Sequence, residues 1–223
     1  MVARTKNHPS MFNRFLRWLF FGLIVRPFTL IIIGLNIRHT ERLPQKGPAI
    51  LVANHNSHLD TLVLMSLFSL KQLPQIHPVA AADYFLRNRL FAWFALNIIG
   101  IIPLARKVQA RTDPFVAAYT ALSQGQILIL FPEGTRGQPE FMNHFKNGIA
   151  RLAKNCADVP IIPIFLHGLG KSLPKGETVL VPFFCDVFVG EALQWEGDKK
   201  HYMQKLDAAM HELASEGNFA PWE

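Results

Sequence analysis

Apolar residues along this chain fall into two patterns. Short apolar runs predict buried strands at Ala49–Ala53, 78–82, 98–104, 126–131 and 159–166, with a late strand or two within 179–189. Apolar positions three and four apart predict helices. One runs over 62–70. Others are marked by Phe115, Ala118, Tyr119 and Leu122, by Phe145, Ile149 and Leu152, and by Leu206, Met210 and Leu213. The stretch 84–99 is apolar, aromatic and helical in character, interrupted by Arg87, Asn88 and Arg89. Strands alternating with helices imply an α/β fold: a single mixed, mostly parallel sheet flanked by helices. No repeat or low-complexity linker argues for a second globular domain.

The N-terminal segment reads differently. Residues 15–25 and 28–37 are apolar stretches of eleven and ten residues, separated by Arg26-Pro27. A membrane-spanning helix needs about 20 apolar residues, and neither stretch reaches that length. A single fused helix would place Arg26 near mid-membrane, at roughly 2.5–3.5 kcal/mol on insertion scales. A membrane-embedded helix pair dipping into one leaflet, with Arg26-Pro27 as its turn, avoids that cost. Arg14, Arg17 and Arg38 would then reach the headgroups. One or two ordinary core helices are the other reading of the same periodicity. A signal peptide is excluded by the lack of a small-x-small cleavage site. The expected organisation is a basic, membrane-associating segment over 1–40 and a catalytic α/β domain over 41–223.

Composition sharpens this picture. Half of the 223 residues are hydrophobic, 17% are charged, and the mean hydropathy is +0.17. That is greasy for a soluble domain yet short of a polytopic membrane protein. Of the formal +7 charge, six Lys or Arg precede Glu41, with no Asp or Glu among them. Basic charge beside apolar stretches favours an anionic membrane surface. Nucleic acid ranks below it, because no nucleic-acid motif accompanies the charge. Cys156 and Cys185 make no disulfide framework, and Cys185 reads as a buried thiol. A membrane-associated protein whose catalytic domain faces the cytoplasm is the expectation.

Two short motifs carry the chemistry. In Asn54-His55-Asn56-Ser57-His58-Leu59-Asp60, a histidine precedes a carboxylate by five positions. On one helix that spacing separates the two by about 140°, so they meet only if a strand-to-helix turn intervenes. The histidine then sits at the carboxyl end of a strand, where open α/β sheets bind ligands. A neutral imidazole with a carboxylate on its other nitrogen is a competent base near pH 7. No Gly-x-Ser-x-Gly elbow supplies an enzyme nucleophile, so the base would serve a hydroxyl of the substrate. By itself the spacing is common enough to arise by chance, and a satisfied histidine at a strand end is its bland alternative. A metal site is the sharper rival for His55, His58 and Asp60. It would need histidines where Asn56 and Thr61 stand, so no metal is expected.

The second motif, Phe131-Pro132-Glu133-Gly134-Thr135-Arg136, follows an apolar strand with a carboxylate, a glycine, a hydroxyl and a guanidinium. Arg136 and Arg106 each follow a strand, and arginine's planar fork suits phosphate.

These motifs resemble those of the glycerolipid acyltransferase family, whose best-known members are 1-acylglycerol-3-phosphate acyltransferases. Four blocks resemble the family's, in order: Asn54-His55-x4-Asp60; Gly100-Ile101-Ile102-Pro103-Leu104-Ala105-Arg106; Phe131 to Arg136 followed by Phe145-Lys146-Asn147-Gly148; and Val159-Pro160-Ile161-Ile162-Pro163-Ile164. The resemblance implies that His55 is the general base and Asp60 its partner. It implies an acceptor site from Arg106, Glu133, Gly134, Thr135 and Arg136, and an acyl pocket shaped by Pro160 and Pro163. It also implies a fatty acyl donor, either acyl-CoA or acyl carrier protein, a lysophospholipid acceptor, a membrane lipid surface and no further cofactor. Pro103 and Ala105 stand where an aromatic and an acidic residue are common, and Gly137 where serine is usual. These departures touch the acceptor side and leave the dyad intact.

Overall fold

The computed structural model describes residues 10–85, 88–104, 113–138, 141–172 and 184–219. Seven strands form one sheet: β1 (Leu35–Arg38), β2 (Ala49–Ala53), β3 (Ile76–Ala81), β4 (Ile102–Leu104), β5 (Ile127–Leu130), β6 (Ile161–His167) and β7 (Cys185–Val189), in the spatial order β1-β7-β6-β2-β5-β3-β4. All neighbours run parallel except β6 and β7, so β1 and β7 oppose the other five. The sheet is mixed and mostly parallel, as the alternation of elements predicts.

The helices are α1 (Met11–Ile33), α2 (Leu59–Ser66), α3 (Arg89–Ile99), α4 (Val116–Ser123), α5 (Gly148–Asn155) and α6 (Lys199–Glu216). They cover both faces of the sheet, which is why its central strands are wholly apolar. Alternate residues of each strand serve opposite cores. Leu51 and Ile129 pack with α1, α2 and α3, while Ile50 and Leu128 pack with α4, α5 and α6. Tyr202 on α6 is 1% exposed, and its hydroxyl has no hydrogen-bond partner among the described residues. Burial also raises the pKa of that hydroxyl. Tyr202→Phe is therefore expected to gain about 1 kcal/mol, moving the melting midpoint up by about 2–4 °C. A fall in the midpoint would mean that the hydroxyl is bonded.

The N-terminal segment corrects the sequence reading. Arg26 and Pro27 are both right-handed helical, so α1 is one continuous helix, not a pair turning at that point. Proline removes an i→i−4 hydrogen bond and crowds the preceding turn. The helix absorbs this by widening on both sides of Pro27. Arg26 N–H donates to the Phe21 carbonyl and Gly34 N–H to the Thr29 carbonyl, each five residues back. The cost assigned to Arg26 disappears because its guanidinium donates to the Phe68 carbonyl at 2.6 Å, inside the protein. Arg17 is also turned inward, 6% exposed and donating to the Ile76 carbonyl at 2.7 Å, so it does not reach toward headgroups. It lies against Gly100, where an added Cβ would meet its Nη1 at 2.6 Å; Gly100 has φ +76°, a conformation that favours glycine. Residues 35–38, read as the end of the second apolar stretch, form β1 beside β7.

Two further boundaries move. Ile98 and Ile99 finish α3, and the left-handed Gly100 caps it, so β4 begins only at Ile102. Helix α3 begins after Asn88, whose side chain accepts from the N–H groups of Leu90 and Phe91. Residues 179–183 of the late apolar run lie outside the described residues.

Candidate active site

Strand β2 lies between β5 and β6, and the connections that follow β2 and β5 cross to opposite faces of the sheet. A crevice outside the carboxyl ends of such strands is the standard ligand position of an open α/β sheet. His55 follows β2 there, and Phe131 to Arg136 follow β5. Asn54 fastens the end of β2 to β6. Its Nδ2 donates to the Leu166 carbonyl at 2.8 Å, and Leu166 N–H donates to its Oδ1 at 2.7 Å.

The chain turns between His55 and α2, as the five-residue spacing requires. Asp60, fully buried in the first turn of α2, faces back toward the strand end. Its Oδ2 accepts from His55 Nδ1–H at 2.8 Å, from Asn56 N–H at 2.8 Å and from Ser57 N–H at 2.9 Å. A carboxylate at Nδ1 fixes the proton on that nitrogen and leaves Nε2 as the basic one. The imidazole stacks on Phe131, with ring centroids 4.1 Å apart, and its side chain keeps 19% exposure. The dyad is thus built: one nitrogen is committed to a buried anion, while the ring still meets solvent.

Main-chain hydrogen bonds hold the turn from both sides. His55 N–H donates to Glu133 Oε1 at 2.7 Å, and Gly137 N–H donates to the His55 carbonyl at 2.9 Å. Glu133 is buried, and its other oxygen accepts from Asn143 N–H at 3.1 Å and Asn143 Nδ2 at 2.9 Å. Burial, opposed by these donors, raises the Glu133 carboxyl above the ordinary carboxylate range.

Glu133, Thr135, Arg136, Gly137, Asn143 and Lys146 line an open cleft of about 600 Å³. Lys146 N–H donates to the Pro132 carbonyl at 2.9 Å, which folds the 143–146 segment over the Phe-Pro-Glu-Gly turn. Gly134 has φ +73°, and a Cβ there would meet Lys146 Nζ at 2.6 Å. Glycine therefore lets the lysine lie across the turn. Burial first, then the Arg136 guanidinium and His55, hold the His58 imidazole below its ordinary pKa. The Gly137 N–H bond to the His55 carbonyl holds Arg136, its chain neighbour, beside the dyad. Histidine 58 is partly covered but keeps solvent access, and its ring stacks with Tyr84, centroids 6.3 Å apart.

The structure brings together His55, Asp60, Glu133, Gly134, Thr135 and Arg136 at one edge of the sheet. Arg106 lies outside the described residues. Pro160 and Pro163 are not brought to this edge. The Pro160 carbonyl accepts from Ile50 N–H at the opposite end of β2, and Pro163 pairs with Val52 in mid-sheet. At about 3.3 Å per residue, Pro160 lies roughly 20 Å down β6 from Leu166. Sequence reasoning missed Asn54, Asn143 and the stack on Phe131. A polar residue closing an all-apolar strand was the available signal for Asn54. Nothing in the sequence ties Asn143 to Glu133. Lys146 stood within a quoted block without a role.

The structure sets a histidine–carboxylate dyad beside a cleft lined by Arg136 and Lys146, an arrangement suited to base chemistry on an anionic substrate. Residues 34–167, more than half of the chain, match the family model described as acyltransferase, and the chain belongs to that family. It is 30% identical over 167 residues to the chloroplastic 1-acyl-sn-glycerol-3-phosphate acyltransferase LPAT1 of Arabidopsis thaliana, covering 74% of this chain and 44% of that protein. Against the 1-acyl-sn-glycerol-3-phosphate acyltransferase of Pseudomonas aeruginosa, identity is 28% over 192 residues, covering 84% and 71%. The crystal structure of the 1-acyl-sn-glycerophosphate acyltransferase PlsC from Thermotoga maritima shares the fold, with a TM-score of 0.72 at 20% identity, covering 94% of this chain and 81% of that one. The chain spans less than half the length of the chloroplastic relatives it matches.

Proposed function

We propose that this chain transfers a fatty acyl group from a thioester, acyl-CoA or acyl carrier protein, to the free hydroxyl of 1-acylglycerol-3-phosphate, forming phosphatidic acid. The observation that carries this reading is the His55–Asp60 dyad beside a cleft bearing Arg136 and Lys146. A phosphate held by these two cations brings an acceptor hydroxyl to His55 Nε2. The imidazole takes the hydroxyl proton as the oxygen attacks the thioester carbonyl. The tetrahedral intermediate then collapses, the carbon–sulfur bond breaks, and the departing thiolate recovers the proton from the imidazolium. Asp60 stabilises that imidazolium, and holding both substrates in register supplies much of the acceleration. The acceptor oxygen attacks the thioester directly in this scheme, so no acyl-enzyme forms.

The molecule's outer face supports a lipid acceptor. Phe12, Phe15, Trp18, Leu23, Ile24, Leu30 and Ile31 on α1, with Leu90, Phe91, Trp93 and Leu96 on α3, are exposed. An apolar surface of this extent is characteristic of a partner or membrane contact. Helix α1 is roughly 34 Å long at 1.5 Å per residue, enough to cross a bilayer. Its other stripe, including Phe21, Val25 and Ile33, is packed into the core, which favours lying in the interface over spanning it. Tyr84, Phe85 and Phe91 form a chain of ring contacts from His58 toward the exposed face of α3, stacked at His58–Tyr84 and Phe85–Phe91 and edge-to-face at Tyr84–Phe85. That aromatic run is an apolar approach for the acyl chains between the lipid surface and the dyad. We assign the catalytic domain to the cytoplasmic side on the basic N-terminal segment.

The test is an assay of the purified protein in liposomes with labelled oleoyl-CoA or oleoyl carrier protein and a panel of lysophospholipids, read by product mass. Phosphatidic acid as the main product supports the assignment, and acylation of another lyso-lipid in its place overturns the acceptor. Within that assay, Arg136→Ala is expected to raise the acceptor KM about tenfold or more, since a charge-assisted phosphate contact is worth roughly 1.5–3 kcal/mol. An unchanged KM would remove Arg136 from the phosphate site.

A further inference from the structure

We propose that Glu133 is a positioning residue that fixes the main chain of His55, and that it does not bind the acceptor. This inference rests on the acyltransferase reading for its kinetic consequences but not for its geometry. Both carboxylate oxygens of Glu133 are already engaged, one by His55 N–H and the other by the main chain and side chain of Asn143. The side chain is 3% exposed, so little of it is available to a ligand. An anionic group turned toward a bound phosphate would also oppose the attraction of Arg136 and Lys146. Protein N–H donors on both sides instead balance the charge where it lies.

The arrangement solves a local problem. β2 ends at Ala53, and the N–H of His55 has passed beyond the ladder that would pair it. Buried main-chain donors need a partner. Glu133 reaches across from the end of β5 to supply one, and Asn143 prevents the carboxylate from turning away. A second link runs in parallel. The buried Asn56 amide, with its nitrogen toward the carbonyls, donates to His55 O at 3.2 Å and to Phe141 O at 3.1 Å. The 141–143 segment thereby braces both main-chain sides of the histidine turn. The imidazole ring is set from three directions: by Asp60 at Nδ1, by Phe131 against its face, and by Glu133 at its backbone. Releasing the third lets Nε2 swing on the Asp60 bond while the dyad itself stays made.

Glu133→Gln is the direct probe, because an amide can accept on one side only and must present N–H groups to donors on the other. The expected result is a fall in kcat of about 10–100-fold with the acceptor KM within about threefold of wild type. Arg136→Ala should show the opposite split. Asn143→Ala, which removes the side-chain donor but leaves the residue 143 N–H on the same oxygen, should give a smaller kcat loss at unchanged KM. Asn143→Asp added to Glu133→Gln gives the new amide an acceptor and is expected to recover part of the lost kcat. Amide hydrogen exchange supplies a readout independent of turnover: His55 N–H should lose more protection in Glu133→Gln than the ladder amides of β2 and β5 do, which separates local release from a general fall in stability. A rise in acceptor KM of tenfold with kcat intact would make Glu133 an acceptor ligand and overturn the proposal, as would unchanged His55 protection. If the wild type acylates no lysophospholipid, the functional reading fails, and the exchange measurement still decides the role of Glu133.

Discussion

His55→Ala is expected to lower turnover roughly 10²–10⁴-fold, the range for removing a positioned general base. The loss should appear in kcat, because Arg136 and Lys146, the proposed phosphate ligands, are untouched by the substitution. The variant should fold. The imidazole packs against Phe131 and keeps some solvent exposure, and the main-chain bonds to Glu133 and Gly137 do not depend on the side chain. Purified variant and wild type compared at saturating donor and acceptor, with matched melting curves, provide the measurement. A variant that keeps near-normal turnover would sink the assignment of His55 as the base, and with it the mechanism.

Asp60→Asn tests the second half of the dyad and couples activity to stability. The carboxylate Oδ2 accepts three hydrogen bonds, from His55 Nδ1–H and from the N–H groups of Asn56 and Ser57. An asparagine with its oxygen in that place keeps the three acceptor contacts but no longer carries the charge that stabilises an imidazolium. Its amide nitrogen then occupies the position of Oδ1, which is buried and has no partner among the described residues. Turned the other way, the nitrogen confronts three donors and the imidazole loses its preferred tautomer. Both arrangements cost catalysis, and kcat is expected to fall roughly 10²–10⁴-fold by analogy with other histidine–carboxylate pairs. The unsatisfied amide should also lower stability by about 1–3 kcal/mol, read from denaturant unfolding. Turnover within threefold of wild type would show that Asp60 serves the fold alone.

These two residues illustrate how far the sequence reaches. Their spacing already excluded a shared helix face and demanded a strand-to-helix turn, because 3.6 residues per turn is fixed by backbone geometry. The apolar runs at 49–53, 126–131 and 159–166 sit at the centre of the sheet, since only a strand buried on both faces can be apolar throughout. The ordered blocks carry the family resemblance in the sequence alone. The N-terminal segment was read less well. Proline beside arginine looked like a turn, because local rules treat proline as a helix breaker and a charge as a solvent-seeking group. Neither rule sees that Phe68 offers a carbonyl to Arg26, or that Ile76 and Gly100 make a berth for Arg17.

The sequence by itself determined the periodicities, and through them the strands, most helices and the chemistry available at two turns. Those are properties of residues near one another in the chain, where backbone geometry and side-chain type act directly. Tertiary structure decided which turns meet. The 78-residue step from His55 to Glu133 closes only when β2 and β5 lie side by side, and the ten-residue step from Glu133 to Asn143 closes when the segment after β5 folds back on itself. It also set Pro160 at the far end of β6 from the dyad, because strand direction, not motif order, sets which end of β6 faces the crevice. Hydrogen bonds and apolar contacts of that range carry no local signature; they exist once burial has brought the strands into register.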